Sequence, residues 1–298
     1  MYRMEKRLRR TALYIPGNNP TMIQNAGIFG ADSIVLDLED AVSIEEKDAA
    51  RILLRNALRT IDYKNTEVVV RINPLSTPYG HEDLKVIARE KPDAIRLPKC
   101  ESVEDVQEAD KLLTKIEENI ELKEGTIKLM PLIESAKGIF NVFEIARASQ
   151  RVVALNFGAE DYTADIGAER TKEGKELLDI RARILLAARV AGIDALDSVF
   201  GDINDEKGLI EETKFIKQLG FNGKSIIHPC QIKPVHQIFT PSEDEIKYAQ
   251  RVIAAIEEAK AKKSGVIALD GRMIDAPVAS RARRILAFAK AAGLISVI

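Results

Sequence analysis

The sequence predicts an α/β fold, a closed (β/α)8 or TIM barrel followed by a C-terminal helical extension. Two observations lead to this prediction: eight short apolar runs recur along the chain, and segments of helical periodicity fill the intervals between them. An apolar run bounded by turn residues is typical of a buried parallel strand. Strands that alternate with helices favour parallel βαβ units, and eight such units favour a closed barrel.

The predicted strands are short and evenly spread over the first three quarters of the chain. They cover residues 12–15, 33–38, 67–72, 94–97, 127–133, 152–157, 195–200 and 224–227. An open, doubly wound sheet is the structural alternative. No GxGxxG motif follows the first run, so dinucleotide binding has little support.

Serine–acid pairs predict where several helices begin. In a capping box the serine side chain and an acid three residues later satisfy each other's backbone amides. The pairs are Ser43–Glu46, Ser102–Asp105 and Ser242–Glu245. We assign residues 9–240 to a catalytic barrel domain and residues 241–298 to the extension. The extension is predicted as a helix over 243–263, a loop over 264–277 and a second amphipathic helix to about residue 292, and it packs on its own barrel or reaches a neighbouring subunit.

The charge balance excludes some partners. Lys and Arg number 44 against 46 Asp and Glu, and no long basic run occurs, which argues against nucleic acid. No apolar run approaches the roughly 20 residues of a membrane-spanning helix, and no apolar segment follows the basic residues 3–10. We therefore expect a soluble cytoplasmic protein without a membrane partner.

Cysteine and histidine chemistry gets no support from the sequence. Cys100 and Cys230 lie far apart without a CxxC motif, so both are interpreted as ordinary thiols. His81, His228 and His236 lack the mutual spacing of a metal set and an obvious nucleophile partner, so they are interpreted as loop or structural residues. No GxSxG motif is present.

Carboxylates follow two neighbouring predicted strands. Glu134 follows the fifth run, and Glu160 and Asp161 follow the sixth. The ends of adjacent strands lie about 5 Å apart, so Glu134 and Asp161 can share one divalent cation. Mg²⁺ prefers oxygen ligands and keeps water or substrate in its other positions. The sequence thus predicts a magnesium site at the strand ends, the working face of a TIM barrel.

Other charged residues follow the earlier strands. Asp37, Glu39 and Asp40 follow the second, Arg71 stands in the segment 71–74 after the third, and Lys99 follows the fourth. Each has a simpler interpretation. Asp40, like Glu160, can cap the following helix, Arg71 can pair with one of these acids, and Lys99 can be a solvated loop charge. Lys99 is also the one tempting candidate for a Schiff-base lysine.

Seven motifs in order resemble the HpcH/HpaI aldolase family. They are LYIPGNNP, IVLDLEDAV, VVVRINP, IRLPK, PLIESAKG, NFGAEDY and GRMIDAP. The resemblance runs from about residue 9 to residue 292, and within the family it is most similar to citrate lyase β subunits, the citryl-thioester lyases. It implies a modified TIM barrel.

The resemblance also implies residue roles. Glu134 and Asp161 match the family's Mg²⁺ ligands, and Arg71 matches its substrate-carboxylate arginine. Asp275 matches an acid that reaches a neighbouring subunit's site, which implies a homo-oligomer, a trimer. Glu39 and Asp40, with Asp37, then orient water or the base.

The implied reaction is retro-Claisen cleavage of a citryl thioester to oxaloacetate and an acetyl thioester. The acyl chain, on CoA or an acyl-carrier phosphopantetheine, enters near Lys99, and Glu134 lies at the same substrate site. Partner α and γ subunits of a citrate lyase complex are implied as well. The alternatives are a malyl-CoA or citramalyl-CoA lyase, a 2-keto acid aldolase of the same superfamily, and a non-catalytic scaffold subunit that binds a metabolite.

Overall fold

The structure, a computed structural model, describes residues 7–261, 268–270 and 272–295. These residues group into two compact units. Residues 9–236 form one, which we call the barrel unit, and the described parts of 1–8 and 237–298 form the other, which we call the C-terminal unit. No helix in the described ranges is long and apolar enough to cross a membrane.

The barrel unit is a closed ring of eight parallel strands. Their order in the ring is their order in the chain, and the eighth pairs with the first. They are β1 Thr11–Pro16, β2 Ser33–Asp37, β3 Glu67–Arg71, β4 Ala94–Leu97, β5 Lys128–Ile133, β6 Ala154–Phe157, β7 Asp194–Asp197 and β8 Gly223–Ile226. The predicted closed barrel is confirmed.

Apolar side chains fill the barrel interior. One small or medium-sized residue from each of seven strands joins a single buried cluster, whose members are Ala12, Val35, Val69, Ala94, Met130, Ala154 and Leu196. Because helices cover the outside and side chains fill the inside, strands such as β2 are buried along their whole length. This explains why they are continuous apolar runs rather than alternating ones.

Helices follow each strand of the barrel. They are α1 Pro20–Asn25, α2 Lys47–Thr60, α3 Gly80–Ala88, α4 Val103–Asn119, α5 Ala136–Phe140, α6 Val142–Ile145, α7 Ala159–Ile166, α8 Leu178–Ala191, α9 Glu206–Leu219 and α10 Ile232–Phe239. The predicted capping box at α4 is confirmed: the Ser102 hydroxyl accepts from the Asp105 amide, and the Asp105 carboxylate accepts from the Ser102 amide at 2.8 Å.

The capping box predicted at Ser43 is wrong. The Ser43 side chain accepts no backbone hydrogen bond, and a short 3-10 turn, Ile44–Glu46, precedes α2. The Glu46 carboxylate instead accepts from Asn18 Nδ2 at 2.6 Å. A side chain from the first βα loop thus competes for the acid that the box requires.

An ion-pair cluster joins the starts of three strands at the N-terminal end of the barrel. Arg9 lies 2.6 Å from Glu67 Oε1 and 2.8 Å from Asp194 Oδ2, and Ser33 donates to Glu67 at 2.6 Å. A Cβ on Gly223 would lie 1.8 Å from the Arg9 carbonyl oxygen, so β8 passes this segment only as glycine. This ion-pair cluster lies at the end of the barrel opposite the C-terminal strand ends, where a TIM barrel carries its active site.

The C-terminal unit is built on two helices, α11 Glu243–Ala261 and α12 Ala276–Ala291. Their apolar faces meet in a cluster of Ala249, Val252, Ile256, Ile274, Ala279 and Ala282. The predicted capping box begins α11: the Ser242 hydroxyl accepts from the Glu245 amide at 3.2 Å, and the Glu245 carboxylate accepts in return at 2.8 Å.

The structure corrects the loop predicted over 264–277. Two short strands, β9 Ala268–Leu269 and β10 Arg272–Met273, pair as an antiparallel hairpin. Asp270 has a φ of +53°, the left-handed region. An Asp-Gly pair is a strong hairpin-turn signal, and Asp270 is followed by Gly271. Residues 264–267 and 271 of the predicted loop, and residues 262–263 of the predicted helix before it, lie outside the described residues.

Candidate active site

The C-terminal ends of β2 to β6 carry the candidate site residues. Asp37 and Arg71 are the last residues of β2 and β3, Glu134 directly follows β5, and Asp161 lies in the first turn of α7. Parallel strands of one barrel present these ends at the same rim. The described structure brings Lys99, Glu134 and Asp161 together in one cluster, and Arg71, Glu39 and Asp40 in a second.

In the first cluster two carboxylates converge on one ammonium group. Lys99 Nζ forms an ion pair with Asp161 Oδ1 and lies 3.9 Å from Glu134 Oε1. Glu134 is buried, whereas the Asp161 side chain is 39% exposed. One carboxylate therefore lies at the floor of the site and the other faces solvent, and a single cation can contact both.

The backbone around Lys99 is shaped to hold Glu134. Lys99 has a φ of +49°, an uncommon conformation for a residue with a side chain. Its amide donates to Glu134 Oε1 at 2.7 Å. The lysine therefore contacts the same carboxylate through its main chain and, more distantly, through its ammonium group.

Gly158 makes room for the Glu134 side chain. Ile133 of β5 pairs with Phe157 of β6, so the residues that follow them, Glu134 and Gly158, are neighbours. A Cβ on Gly158 would lie 2.6 Å from Glu134 Cβ and 2.6 Å from its Oε2. Any side chain at this position would displace the carboxylate.

Burial controls the charge of Glu134. It raises the pKa of Glu134 to about 7, against the opposing effects of the Lys99 charge and amide. For Lys99, burial lowers the pKa, but the hydrogen bond to Asp161 and the Glu134 charge outweigh it and raise the pKa above its ordinary value. The neighbouring acids therefore favour the charged form of Lys99.

The cluster fits a magnesium ion. The Lys99 ammonium marks a position where one cation meets both Glu134 and Asp161. Mg²⁺ is usually bound by one or two carboxylates while it keeps several waters or substrate oxygens. Among the described residues, no group of three or more His, Cys, Asp and Glu side chains is placed to hold a metal.

Arg71 is the centre of the second cluster. Its Nε and Nη2 donate to the two Asp37 oxygens at 2.7 and 2.6 Å, a bidentate pair. Its Nη1 lies 3.1 Å from Asp40 Oδ2 and 2.8 Å from Glu39 Oε2. The simpler interpretation, that Arg71 pairs with the neighbouring acids, therefore describes its contacts in this structure.

Glu39 is a buried acid with an unsatisfied oxygen. Its Oε2 accepts no hydrogen bond, although Arg71 Nη1 is close, because the geometry of that contact is not that of a hydrogen bond. Burial raises the pKa of Glu39 to about 8, and the Arg71 charge only partly opposes this. Glu39 therefore holds a proton near neutral pH within the field of Arg71, Lys99 and Glu134.

Sequence analysis did not single out two residues in the barrel interior that lie beside Arg71, namely Tyr14 and Arg96. Tyr14 of β1 lies between two guanidinium groups: Arg71 Cζ is 4.9 Å and Arg96 Cζ is 5.2 Å from its ring centroid. Arg96 of β4 is fully buried and donates to the Tyr14 hydroxyl at 2.8 Å and to Asn156 Oδ1 at 2.6 Å. The sequence offered one signal for Arg96, namely a charged residue inside an apolar run that was predicted to be a buried strand.

Lys47 also escaped prediction. Its Nζ donates to the carbonyl oxygens of Leu38 and Glu39 at 2.8 and 2.6 Å and so fixes the loop that carries Glu39 and Asp40. Burial lowers the pKa of Lys47. Nothing in the spacing of a lysine at the start of a helix indicates this role.

Asp275 belongs to the C-terminal unit rather than the barrel unit. It is exposed, and its carboxylate accepts from the Val278 amide at 3.0 Å as the N-cap of α12. Two of the three histidines lie elsewhere. His236 contacts Thr11 Oγ1 at 2.8 Å, and His81 lies 3.2 Å from Glu108 on the surface.

Comparison with known proteins identifies the family. The signature of the HpcH/HpaI aldolase/citrate lyase family matches residues 10–229. The citrate lyase subunit beta of Leuconostoc mesenteroides subsp. cremoris is 51% identical over 290 residues, which cover 97% of this chain and 96% of the relative.

Solved structures agree with both sequence and fold. The CitE protein of Mycobacterium tuberculosis in complex with magnesium, acetoacetate and coenzyme A is 33% identical, with a TM-score of 0.76 over 96% of this chain and 98% of that one. A citrate lyase beta subunit from M. tuberculosis with oxaloacetate and magnesium is 33% identical, with a TM-score of 0.67 over 78% of this chain and 98% of that one. The chain therefore belongs to the HpcH/HpaI aldolase/citrate lyase family.

Proposed function

We propose that this chain is a Mg²⁺-dependent lyase of the citrate lyase β-subunit type, which cleaves a citryl thioester to oxaloacetate and an acetyl thioester. The observation that carries the proposal is the convergence of Glu134 and Asp161 on one cation position at the barrel rim. The 51% identity to a citrate lyase subunit beta supports the choice of substrate, and the oxaloacetate and magnesium complex of a relative supports the product and the metal.

Glu134 and Asp161 would hold the metal through one buried and one exposed carboxylate. Bound there, Mg²⁺ would polarise the hydroxyl and carboxylate oxygens of the substrate. Lys99 would release the position that its ammonium group occupies and turn outward, where it would contact the acyl chain at the rim. Gly158 would keep the Glu134 carboxylate in place, because no side chain crowds it.

Arg71 would bind a substrate carboxylate. Asp37 fixes one edge of the guanidinium through two hydrogen bonds, so Nη1 is the edge that can turn to a ligand. That edge now contacts Asp40, which is 58% exposed and can move away, and the buried Glu39, which would stay beside the bound ligand. A charge-assisted hydrogen bond from Arg71 would then offset negative charge as it shifts in the reaction.

Glu39 and Asp40 would lie beside the reacting groups and would position them. Glu39 carries its proton beside Arg71, and Lys47 holds the backbone of this loop. Together they would orient water or the base at the carbon–carbon bond. Their role is to position groups within hydrogen-bond reach of the substrate.

The leaving acetyl carbon needs a proton, and Asp275 of a neighbouring subunit would supply it. This role requires a homo-oligomer, which we propose is a trimer, in which an extension of residues 241–298 serves the barrel domain of residues 9–240 in another copy. The proposal places the enzyme in the cytoplasm, with citrate lyase α and γ subunits as possible partners and CoA or an acyl-carrier protein as the thiol carrier.

An assay of the isolated chain tests the proposal. With citryl-CoA or citryl acyl-carrier protein and Mg²⁺, we expect oxaloacetate, measured by its NADH-linked reduction, and no product after chelation with EDTA. Malyl-CoA and citramalyl-CoA serve as controls, with glyoxylate and pyruvate as their products. Preferred turnover of either control, or no turnover of any thioester, would contradict the assignment.

A further inference from the structure

Five polar side chains form a layer in the barrel interior, between the apolar cluster and the C-terminal strand ends. Each lies two residues after a member of that cluster on the same strand, so the alternation of side chains along a strand turns it to the same face. They are Tyr14, Asp37, Arg71, Arg96 and Asn156. We call these five residues the polar layer, and it forms the floor below the rim of the proposed site.

Arg96 brings a positive charge into the polar layer without a counter-ion. It is fully buried, and its Nη1 and Nη2 donate to the neutral oxygens of Tyr14 and Asn156. Its Nε is buried without a hydrogen-bond partner, and no Asp or Glu among the described residues forms an ion pair with it. Arg181, which is also buried, pairs with Asp197 at 2.9 Å. A buried charge without a counter-ion destabilises a fold, so packing alone does not explain Arg96.

Tyr14 connects Arg96 to Arg71. Arg71 Cζ lies 4.9 Å from the centre of the Tyr14 ring, a cation–π contact, and the hydroxyl of that ring accepts from Arg96 Nη1 at 2.8 Å. Asn156 holds Arg96 in turn, because its Oδ1 accepts from Arg96 Nη2 while its Nδ2 donates to the Pro131 carbonyl at 3.3 Å. A chain of contacts therefore runs from β5 to the Arg71 guanidinium group.

Two neighbours together orient the Arg71 guanidinium group. Asp37 accepts from its Nε and Nη2 and fixes one edge, and the Tyr14 ring lies against the group. The remaining Nη1 edge is drawn to the acids Glu39 and Asp40. If the ring moved away, the group could tilt about the edge that Asp37 holds, and Nη1 would follow these acids.

We propose that Arg96 is a positioning residue for Arg71: it holds Tyr14 against the guanidinium group, so that the Nη1 edge stays directed at a substrate carboxylate. This role rests on the proposed function, in which Arg71 binds that carboxylate. Arg96 is fully buried and does not itself touch the substrate. Because both guanidinium groups contact one ring and buried charges are screened little, a carboxylate held by Arg71 lies in the field of both cations.

Two variants interrupt this chain of contacts. Tyr14→Phe removes one oxygen and keeps the ring, and Arg96→Met removes the charge and keeps an apolar side chain. We expect each to raise KM for the citryl thioester about tenfold and to change kcat less than about threefold, because the carboxylate that Arg71 holds is present in both substrate and transition state. Tyr63→Phe is the matched control. The Tyr63 hydroxyl is buried without a hydrogen-bond partner and lies outside the polar layer, so the native KM is expected.

The double variant distinguishes a role through Tyr14 from two independent effects. If Arg96 acts through the hydroxyl, Tyr14→Phe combined with Arg96→Met should raise KM no further than Arg96→Met alone. Arg96→Lys keeps the charge and a donor for the hydroxyl, so it should recover part of the loss. A KM that rises by the product of the two single effects, or a native KM in both single variants, would overturn the proposal.

Crystal structures of the two single variants make the test independent of lyase activity. We expect the Arg71 guanidinium group to leave the aromatic ring in both. Arg96→Met should keep a melting temperature near the native value, because it removes a buried charge that has no counter-ion. An Arg71 group with unchanged contacts in both variants would overturn the proposal whatever the substrate proves to be. A displaced Arg71 in a chain that cleaves no thioester would refute the proposed function and support the positioning role.

Discussion

The Lys99 ammonium group contacts the carboxylates of Glu134 and Asp161. A metal ion bound by the same two carboxylates would have to displace it. The same residue holds Glu134 through its amide at 2.7 Å. Its side chain thus competes with a metal, while its main chain helps to arrange one of the ligands. The two contributions can be separated, because substitution of the side chain leaves the amide in place.

Lys99→Gln should tighten Mg²⁺ binding in the absence of substrate. The variant removes a positive charge from the metal position, which we expect to lower the dissociation constant about three- to tenfold. Isothermal titration calorimetry measures the change. Lys137→Gln is the control, because Lys137 is 65% exposed and pairs with Glu101 instead. Weaker Mg²⁺ binding in the Lys99 variant would contradict the competition.

Glu134→Gln should remove lyase activity without unfolding the chain. The amide keeps the size of the side chain but loses the charge that holds the cation, so we expect kcat to fall by about a hundredfold or more. Steady-state kinetics and the melting temperature are the two measurements. Glu160→Gln, one residue from Asp161 and 59% exposed, should stay within about twofold. Mg²⁺-dependent turnover at the native level in the Glu134→Gln variant would exclude the site.

At the scale of elements, a buried ion network joins the last two strands to their helices. Arg181 of α8 donates to both oxygens of Asp197, the last residue of β7, at 2.9 Å. Lys224 of β8 lies 3.2 Å from Asp197 and 2.5 Å from Glu212 of α9. Arg181 also contacts Glu212 at 2.9 Å. The network therefore fixes α8 and α9 against β7 and β8.

Glu212→Gln should destabilise the chain more at neutral pH than at low pH. Burial acts to raise the pKa of Glu212, yet the charges of Lys224 and Arg181 outweigh it and hold the pKa at about 2. A carboxylate with a lowered folded-state pKa contributes stability above its unfolded value of about 4.5 and loses it as the pH falls toward 2. We expect a loss of about 3–5 kcal/mol at pH 7.

Urea unfolding at pH 7 and near pH 3 measures the difference. The gap between the native chain and the Glu212→Gln variant should shrink at the lower pH. Glu211→Gln is the matched control, since Glu211 is 67% exposed and lies 3.9 Å from Lys207. A gap that grows on acidification would contradict the role of the ion pairs.

The strands were predictable from sequence because a parallel strand that is buried on both faces consists of a continuous run of apolar residues. β4 matches the predicted range at both ends, and the others differ by a few residues. The largest difference is at β7, which was predicted as 195–200 but ends at Asp197. The carboxylate of Asp197 binds Arg181 and Lys224 at this point, and such long-range partners leave no local signal.

The candidate site was predictable only in part, for a related reason. Glu134 and Asp161 follow neighbouring strands, so their proximity is a consequence of topology. The contact of Lys99 with both acids depends on the positive φ of its backbone. A lysine at this position of the sequence does not indicate that conformation. The placement of the Tyr14 ring between Arg71 and Arg96 depends on three strands that are distant in the chain.

At the scale of the whole molecule, the proposed chemistry divides between two units. The metal carboxylates and Arg71 belong to the barrel unit, and Asp275 begins α12 in the C-terminal unit. If one copy supplies Asp275 to the barrel of the next, each complete site contains residues from two chains. A heterologous contact that closes on itself generates a ring, and the proposed trimer would be such a ring.

Mixing two inactive variants tests this arrangement. Arg71→Ala and Asp275→Asn should each lack activity alone. After exchange of subunits in an equal mixture, about a quarter of the sites would combine an intact barrel with an intact Asp275 from another chain. Restored activity of that order, measured with citryl-CoA, is expected. A mixture as inactive as its components would indicate that Asp275 acts within its own chain or has no role.

A crystal structure of the chain with Mg²⁺ and oxaloacetate is the most direct test of the central claim, that Glu134 and Asp161 hold the metal. We predict one Mg²⁺ about 2.1 Å from an oxygen of each carboxylate, with oxaloacetate oxygens completing its shell and the Lys99 ammonium group displaced. A metal bound to other residues, or in contact with neither acid, would contradict it.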